Sequence, residues 1–306
     1  HSGCDLSLKK QYVETLKKEI VLRKKYIDNQ PVKTIYFGGG TPSLLSADEL
    51  MGIFNVLNQN FDLTSCEETT LECNPDDLSE NYVRQLRSLP INRLSIGIQS
   101  FNDNELTFIN RRHSATQAIE AVKRCQENEF SNISIDLIFG LPFQTLESFE
   151  SNLNKTLKLD VQHVSIYGLT FEEGTKIEQQ RQKKLFTETD EDTTILMYQM
   201  AIEKLTSNGF EHYEISNFAK PKMHSKHNSS YWNGTHYLGI GSGAHSYNGT
   251  SRQWNICDTK KYCSLHNYFE TEKLSISDIY NELIITNLRK KEGIDLRFIE
   301  QTFEEK

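Results

Sequence analysis

Long apolar runs are missing from this 306-residue chain. Its apolar stretches are strand-sized, well below the ~20 residues that a transmembrane helix needs, and no signal-peptide pattern opens it. Basic blocks are missing too. The one short cluster is "LRKKEG" at Leu288–Gly293, and the formal net charge is -8; a nucleic-acid binder normally carries a basic stripe, so no nucleic-acid partner is expected. Six cysteines, Cys4, Cys66, Cys73, Cys125, Cys257 and Cys263, are scattered along the chain. Their spacing fits neither a zinc motif nor a small disulfide framework. Reduced thiols in a soluble, cytoplasmic protein follow, with Cys73 and Cys125 as ordinary packing residues.

What is present is a repeat of strand and helix. Segments rich in β-branched residues begin at Lys33 ("KTIYF"), Thr69 ("TTLEC"), Arg93 ("RLSIGIQ"), Asn132 ("NISIDLIFG") and His163 ("HVSIYGLT"). Helical patterns lie between them: Leu146, Phe149, Leu153 and Leu157 line one helix face, and Ser46 with Glu49 forms a capping box. This rhythm predicts an α/β fold with a parallel sheet and crossover helices. The opening segment, with Leu8, Tyr12, Leu16 and Ile20 in phase, is a helix without a strand before it. Beyond Phe210, residues 211–258 are rich in Gly, Ser, Asn, His, Tyr and Trp, which points to short strands and loops, and a helix returns at Asp278. Two regions are therefore expected, 1–210 and a smaller α+β/helical region, 211–306.

Each predicted strand ends in residues that a plain core strand does not use. The first ends at Gly38, Gly39, Gly40, Thr41 and Pro42; the second holds Glu72 and Asn74; the third ends in Gln99 and Ser100; the fourth holds Asp136; the fifth holds Tyr167 and Gly168. In parallel α/β folds the carboxyl ends of the strands form the ligand face. Singly, Glu72, Gln99 and Asp136 each have a structural explanation in solvation, loop support or capping. Five strands that aim polar groups at one place favour a binding site. The glycines give a backbone edge that a small polar ligand can touch. They match neither G-x-G-x-x-G nor the phosphate-cradling G-x-x-x-x-G-K-[ST].

With "FGGGTPS", "ECNPDDL", "NRLSIGIQSFNDNEL", "NRRH", "NISIDLIFGLPFQT" and "HVSIYGLTFEEGT" in this order, the chain resembles the radical S-adenosylmethionine (SAM) proteins of the oxygen-independent coproporphyrinogen dehydrogenase family, from about Leu8 to Leu296. "KHNSSYWNG", "YLGIGSGAHSY" and "RQWN" resemble its heme-chaperone branch. The resemblance implies a partial (β/α)6 barrel with SAM across the strand ends. Gly39 and Gly40 would contact the methionine moiety, and Arg111 its carboxylate. Glu72, Gln99 and Asp136 would meet amine and ribose hydroxyls, and Gly168 would let adenine approach. The family's C-x-x-x-C-x-x-C motif, whose thiolates hold a [4Fe–4S] cluster, does not occur in this sequence. The chain is expected to begin just past that loop and its strand, with Cys4 beyond the cluster ligands.

The segment "KMHSKHNSSYWNGTHYLGIGSGAHSY" interleaves histidines with aromatics. Histidine is an axial ligand of heme iron and flat apolar surface suits the macrocycle. The resemblance makes His227, Asn228, Tyr231 and Trp232 a candidate heme region, with His227 as iron ligand. The other reading is a packed loop anchored by Trp232, with His227 building the pocket. The implied partners are heme and acceptor hemoproteins, with transient membrane-protein contact left open. The competing function is oxidative decarboxylation of coproporphyrinogen III by the same scaffold.

Overall fold

The structure, a computed structural model, describes residues 6–303. Cys4 lies outside them. The chain forms two compact units. One comprises residues 36–44 and 69–225; the other takes the chain up to 35, 45–68 and from 226 onward.

The first unit is built on a curled, mixed sheet of order β1-β2-β3-β4-β5-β7-β6. Its strands are β1 (Thr34–Phe37), β2 (Glu68–Cys73), β3 (Arg93–Gln99), β4 (Ile133–Phe139), β5 (His163–Gly168), β6 (Glu211–Glu214) and β7 (Asn217–Ala219). Strands β2 to β5 pair in parallel. The antiparallel β6–β7 pair then closes the far edge, where no sixth βα repeat occurs. The strands alternate cleanly because successive side chains point to opposite faces. Leu71, Leu94 and Ile133 stand side by side on one face, as do Cys73, Ile96, Ile135 and Val164, all buried. The opposite face carries Thr70 beside Arg93, the row Glu72, Ser95, Ser134 and His163, and the row Gly97, Asp136 and Ser165. One face of the sheet is thus a core and the other is mainly polar.

In chain order the connecting helices are α1 (Lys9–Arg23), α2 (Ala47–Asn60), α3 (Glu80–Arg87), α4 (Asp103–Phe108), α5 (Ala115–Glu127), α6 (Leu146–Lys158), α7 (Lys176–Gln182) and α8 (Glu191–Ser207). Of these, α2, α3, α5 and α6 bury an apolar stripe. The capping box at Ser46 and Glu49 forms as the sequence predicts, and others start α5 and α6. Cys73 and Cys125 are buried free thiols whose pKa burial raises, that of Cys125 to about 12, as befits packing residues.

The second unit holds α1 and α2, then α9 (Lys226–Trp232), a three-stranded antiparallel sheet of β8 (His245–Tyr247), β9 (Ser251–Asn255) and β10 (Phe269–Lys273), α10 (Thr259–Tyr262), α11 (Ile276–Leu288) and α12 (Leu296–Phe303). Its centre is ionic. The buried face of α1 includes Glu19 and Arg23 as well as Val13 and Ile20. Glu19 accepts hydrogen bonds from the Tyr262 hydroxyl, the Gly241 N–H at 2.9 Å and Asn255 Nδ2 at 2.8 Å. Arg23 donates to Gln253 at 2.6 Å and Ser246 at 3.2 Å. Gly241 holds φ +114°, and a Cβ there would strike the Tyr12 hydroxyl at 2.8 Å. The segments "GIGSGAHSY" and "RQWN" therefore serve to bury this pair with full hydrogen bonding. Among the described residues no helix is long and apolar enough to cross a membrane.

Removing one member of a buried, hydrogen-bonded pair leaves the other without its counter-charge, at about 3–5 kcal/mol. Glu19→Ala is expected to lower unfolding free energy by roughly that amount; a urea midpoint equal to that of the unsubstituted chain would contradict it.

Candidate functional site

The polar face of the first unit gathers the residues that the strand ends single out. β1 runs into Gly38–Gly40. A Cβ on Gly38 would collide with the Tyr36 ring, whereas Gly39 and Gly40 hold φ +69° and +55° with open space where their Cβ atoms would stand. The first glycine makes room for a neighbour; the other two adopt a left-handed backbone that L side chains rarely take.

Glu72 organises this turn. Its carboxylate accepts from the Tyr36 hydroxyl at 2.7 Å and from the Gly39 N–H at 3.1 Å. Burial and the adjacent Glu72 charge push the Tyr36 phenol well above its ordinary range, so it stays a donor. An ionised carboxylate offers about four lone-pair sites, which leaves capacity on Glu72 for a ligand.

Asp136 lies in register with Gly97 on one side and Ser165 on the other. Desolvation, then the charge of Glu72, raise its pKa to about 6, opposed by the Ser165 hydrogen bond and by Arg93 and Arg111. Beside it β3 breaks register between Gly97 and Gln99, and Gln99 takes φ +72°. Such a bulge re-aims a side chain: Gln99 Nε2 comes back to 2.9 Å from where a Cβ of Gly97 would be, and Arg111 Nη2 to 3.1 Å. Gly97 is a glycine because the side chains of Gln99 and Arg111 use its space.

Arg111 follows α4. Its Nη2 donates to Asn74 Oδ1 at 2.9 Å and to the Gly97 carbonyl. Burial lowers its pKa, while Asp76, Asp136 and Asp77 act the other way. The guanidinium has five N–H donors in a fork, so one edge remains for a carboxylate. His113 hydrogen-bonds Ile98 O at 3.0 Å, and burial with Arg111 nearby lowers its pKa. It is a neutral support for this corner. Gly168 ends β5 exposed, with Phe139 Cζ 3.3 Å from where its Cβ would be.

Ser100 is not part of this face. It is buried and donates to Glu105 at 2.6 Å, in a network with Gln144, Ser148 and Asn152. Tyr36, Gly97 and Ser165 belong to the site and are missed by reading strand ends alone. Their signal is the period of two, counted back from Gly38, Gln99 and Tyr167.

The face therefore joins two carboxylates, the guanidiniums of Arg93 and Arg111, an amide and a side-chain-free backbone edge. That set suits a small zwitterion such as an amino acid. S-adenosylmethionine fits it. A [4Fe–4S] cluster does not fit the residues at hand: among those described, no group of three or more His, Cys, Asp or Glu is placed to hold a metal.

His227, Asn228, Tyr231 and Trp232 lie on α9 of the second unit. Glu68 receives the backbone N–H groups of Lys226 and His227, each at 2.9 Å, and so caps this helix. His227 Nδ1 lies 2.9 Å from Thr34 Oγ1, and Nε2 lies 3.0 Å from the Tyr231 hydroxyl. Both ring nitrogens are engaged. Tyr231 meets Tyr237 edge to face at 4.8 Å. The Arg289 guanidinium stands 4.5 Å from the Trp232 ring centroid, a cation–π contact that anchors the helix.

Comparison with known proteins defines the class first. Residues 3–155 match the family described as the radical SAM superfamily. The fold agrees with that of coproporphyrinogen III oxidase (HemN) from Escherichia coli, a radical SAM enzyme, at a TM-score of 0.85 and 24% identity, covering 99% of this chain and 74% of that one. The heme chaperone HemW of Lactococcus lactis is 36% identical over 95% of this chain and 77% of its own length. HemW of Bacillus subtilis is 36% identical over 95% of this chain and 79% of its length. The chain belongs to the radical SAM superfamily and, within it, to the HemW heme chaperone family. The superfamily implies SAM and a [4Fe–4S] cluster as cofactors.

The raised pKa of Asp136 has a stability signature. Between about pH 4 and 6 the folded protein holds this proton while the unfolded chain releases it, so the contribution is full at low pH and is lost as pH rises through 6. Ligand-free protein is expected to lose up to roughly 3 kcal/mol from this group across that window. Asp136→Asn should flatten the pH dependence of thermal unfolding there; an unchanged slope would count against the assignment.

Proposed function

We propose that this protein is a heme chaperone: it binds heme and passes it to acceptor hemoproteins, on a half-barrel that also holds SAM. The observation that carries the reading is 36% identity to two HemW heme chaperones over 95% of the chain. Coproporphyrinogen decarboxylation rests on likeness of fold alone, at 24% identity.

In this reading the methionine end of SAM lies along the Gly39–Gly40 edge, where no Cβ intervenes. The open edge of Arg111 takes its carboxylate as a charge-assisted pair. Glu72 and Asp136 face the amine and ribose hydroxyls, Gln99 adds an amide, and adenine lies against Gly168. SAM supplies a sulfonium whose reductive cleavage is the chemistry of this superfamily. The residues described here bind and orient it.

The positive ligand also resolves a local conflict. Burial, and then repulsion from Glu72 in the free site, raise the Asp136 pKa. A cation between them favours the ionised form, so binding releases a proton below about pH 6. For heme, His227 is the iron ligand, and ligation through Nε2 requires the Tyr231 hydroxyl to move aside. The scattered, reduced cysteines suit a cytoplasmic setting.

Two measurements test this reading. Hemin titrated into the protein is expected to give a saturable Soret shift, with His227→Ala altering the band position; absence of any shift sinks the chaperone reading, as does conversion of coproporphyrinogen III to protoporphyrinogen. By calorimetry, Asp136→Asn is expected to weaken SAM binding roughly ten- to a hundredfold, the loss of one charge-assisted contact of about 1.5–3 kcal/mol. Wild-type affinity in that variant would remove Asp136 from the site.

A further inference from the structure

Arg93 opens β3 on the polar face and is only 1% exposed. Its neighbours in the same row are neutral. Thr70 is in register with it on β2, and on the other side stands Asn132, whose carbonyl accepts the Leu94 N–H at 3.1 Å. Among the described residues no carboxylate pairs with the guanidinium, and its Nε and Nη1 have no hydrogen-bond partner. A charge taken out of water is costly unless another charge answers it, so the partner of Arg93 acts across a longer distance.

Glu72 is its diagonal neighbour. Strands lie about 4.8 Å apart and two residues rise about 6.6 Å, which places the two Cα atoms roughly 8 Å apart with both side chains on one face. Glu68, two residues before Thr70 on β2, is committed to the first N–H groups of α9. One rung beyond Glu72 along the same face, Gly97 of β3 is in register with Asp136. Arg93 thus stands below both carboxylates of the site, and its charge acts on Asp136 and Tyr36.

The other titratable groups on this face are uncharged. Burial raises the Tyr36 phenol well above its ordinary range and the Tyr167 phenol to about 12, and it lowers the His163 imidazole. Arg111 is the second cation; Asp76 and Asp77 near it are met by Arg112 at 2.7 and 3.1 Å. What remains is two carboxylates against two guanidiniums. Such a balanced face complements a ligand end that is itself balanced, with one ammonium and one carboxylate. The sulfonium of SAM is a further charge for which no carboxylate is left over.

We propose that Arg93 is the buried counter-ion of Glu72 and Asp136, and that it makes the site select the amino-acid end and the adenosine of its ligand but not the charge on sulfur. The thioether S-adenosylhomocysteine (SAH) is then a ligand of the same site. This inference rests on the SAM reading above and adds a specificity residue and a second ligand to it.

The test is calorimetry of the whole chain with SAM and with SAH at pH 8, above the Asp136 pKa of about 6. Wild type is expected to bind the two within about threefold of each other. Arg93→Met should favour SAM over SAH about tenfold, the effect of one unit charge at roughly 12 Å in an effective dielectric of about 20. Arg93→Lys should restore the wild-type ratio, which lost packing alone would not explain. Thr70→Asp gives Arg93 a partner in its own row, so it should act like Arg93→Met and serves where that variant does not fold. In Arg93→Met the proton released on SAM binding, read in two buffers of different ionisation heat, should also move to higher pH, because a cation that favours ionised Asp136 is gone. An unchanged SAM-to-SAH ratio in folded Arg93→Met or Thr70→Asp would overturn the role of Arg93, as would a larger wild-type preference for SAM. A wild-type chain that binds neither SAM nor SAH would instead overturn the SAM reading, and this inference with it.

Discussion

Two carboxylates on one polar sheet face set the terms for the rest of the site. Glu72 and Asp136 stand on neighbouring rows of the same face, and the charge of the first helps to raise the pKa of the second. Placing like charges together out of bulk water is unfavourable unless a cation or hydrogen bonds answer them. The surrounding residues supply part of that answer: Tyr36 and the Gly39 N–H hold Glu72, and Ser165 holds Asp136. Arg93 and Arg111 supply more, since both act to lower the Asp136 pKa.

The second unit solves a related problem in the opposite way. Glu19 and Arg23 are buried together, and each is met by donors or acceptors from the 239–262 segment. Nothing there is left to attract a ligand, which makes this cluster structural. The glycine-rich string that accompanies it is explained by close packing around Tyr12 and Glu19. α9 has a mixed character, since Glu68 and Thr34 hold its first turn while Tyr231 occupies His227 Nε2. The imidazole is thus fixed at both nitrogens, by Thr34 and by Tyr231.

Much of the fold was legible because it depends on local periodicity. β-branched runs at 33, 69, 93, 132 and 163 became the strands β1 to β5, and the capping box at Ser46 formed as its residues require. The antiparallel β6–β7 closure was visible only as a change in composition. Of the candidate site, Gly39, Gly40, Glu72, Gln99 and Asp136 are marked by strand position, and Arg111 by family resemblance. Ser100, drawn from the same strand ends, belongs to the Glu105 network instead, because the bulge at Gln99 changes which way the chain turns next. Tyr36, Gly97 and Ser165 lie inside their strands, where only the period of two from Gly38, Gln99 and Tyr167 marks their face.

The sequence by itself determined the alternation of strand and helix, the choice of which strand ends carry polar groups, and the family to which the chain belongs. These follow from the period of side chains along a strand and from the order of motifs. Only the tertiary structure decided why three glycines stand in a row: the first gives way to the ring of Tyr36, and the next two take a left-handed turn that brings the Gly39 N–H onto Glu72. It also decided that Gln99 folds back over Gly97, that both nitrogens of His227 are engaged, and that Arg93 comes to lie beside Thr70 on the face of Glu72. Each of these is a contact between residues far apart in the chain, and register, bulges and backbone handedness fix it only when the sheet has formed.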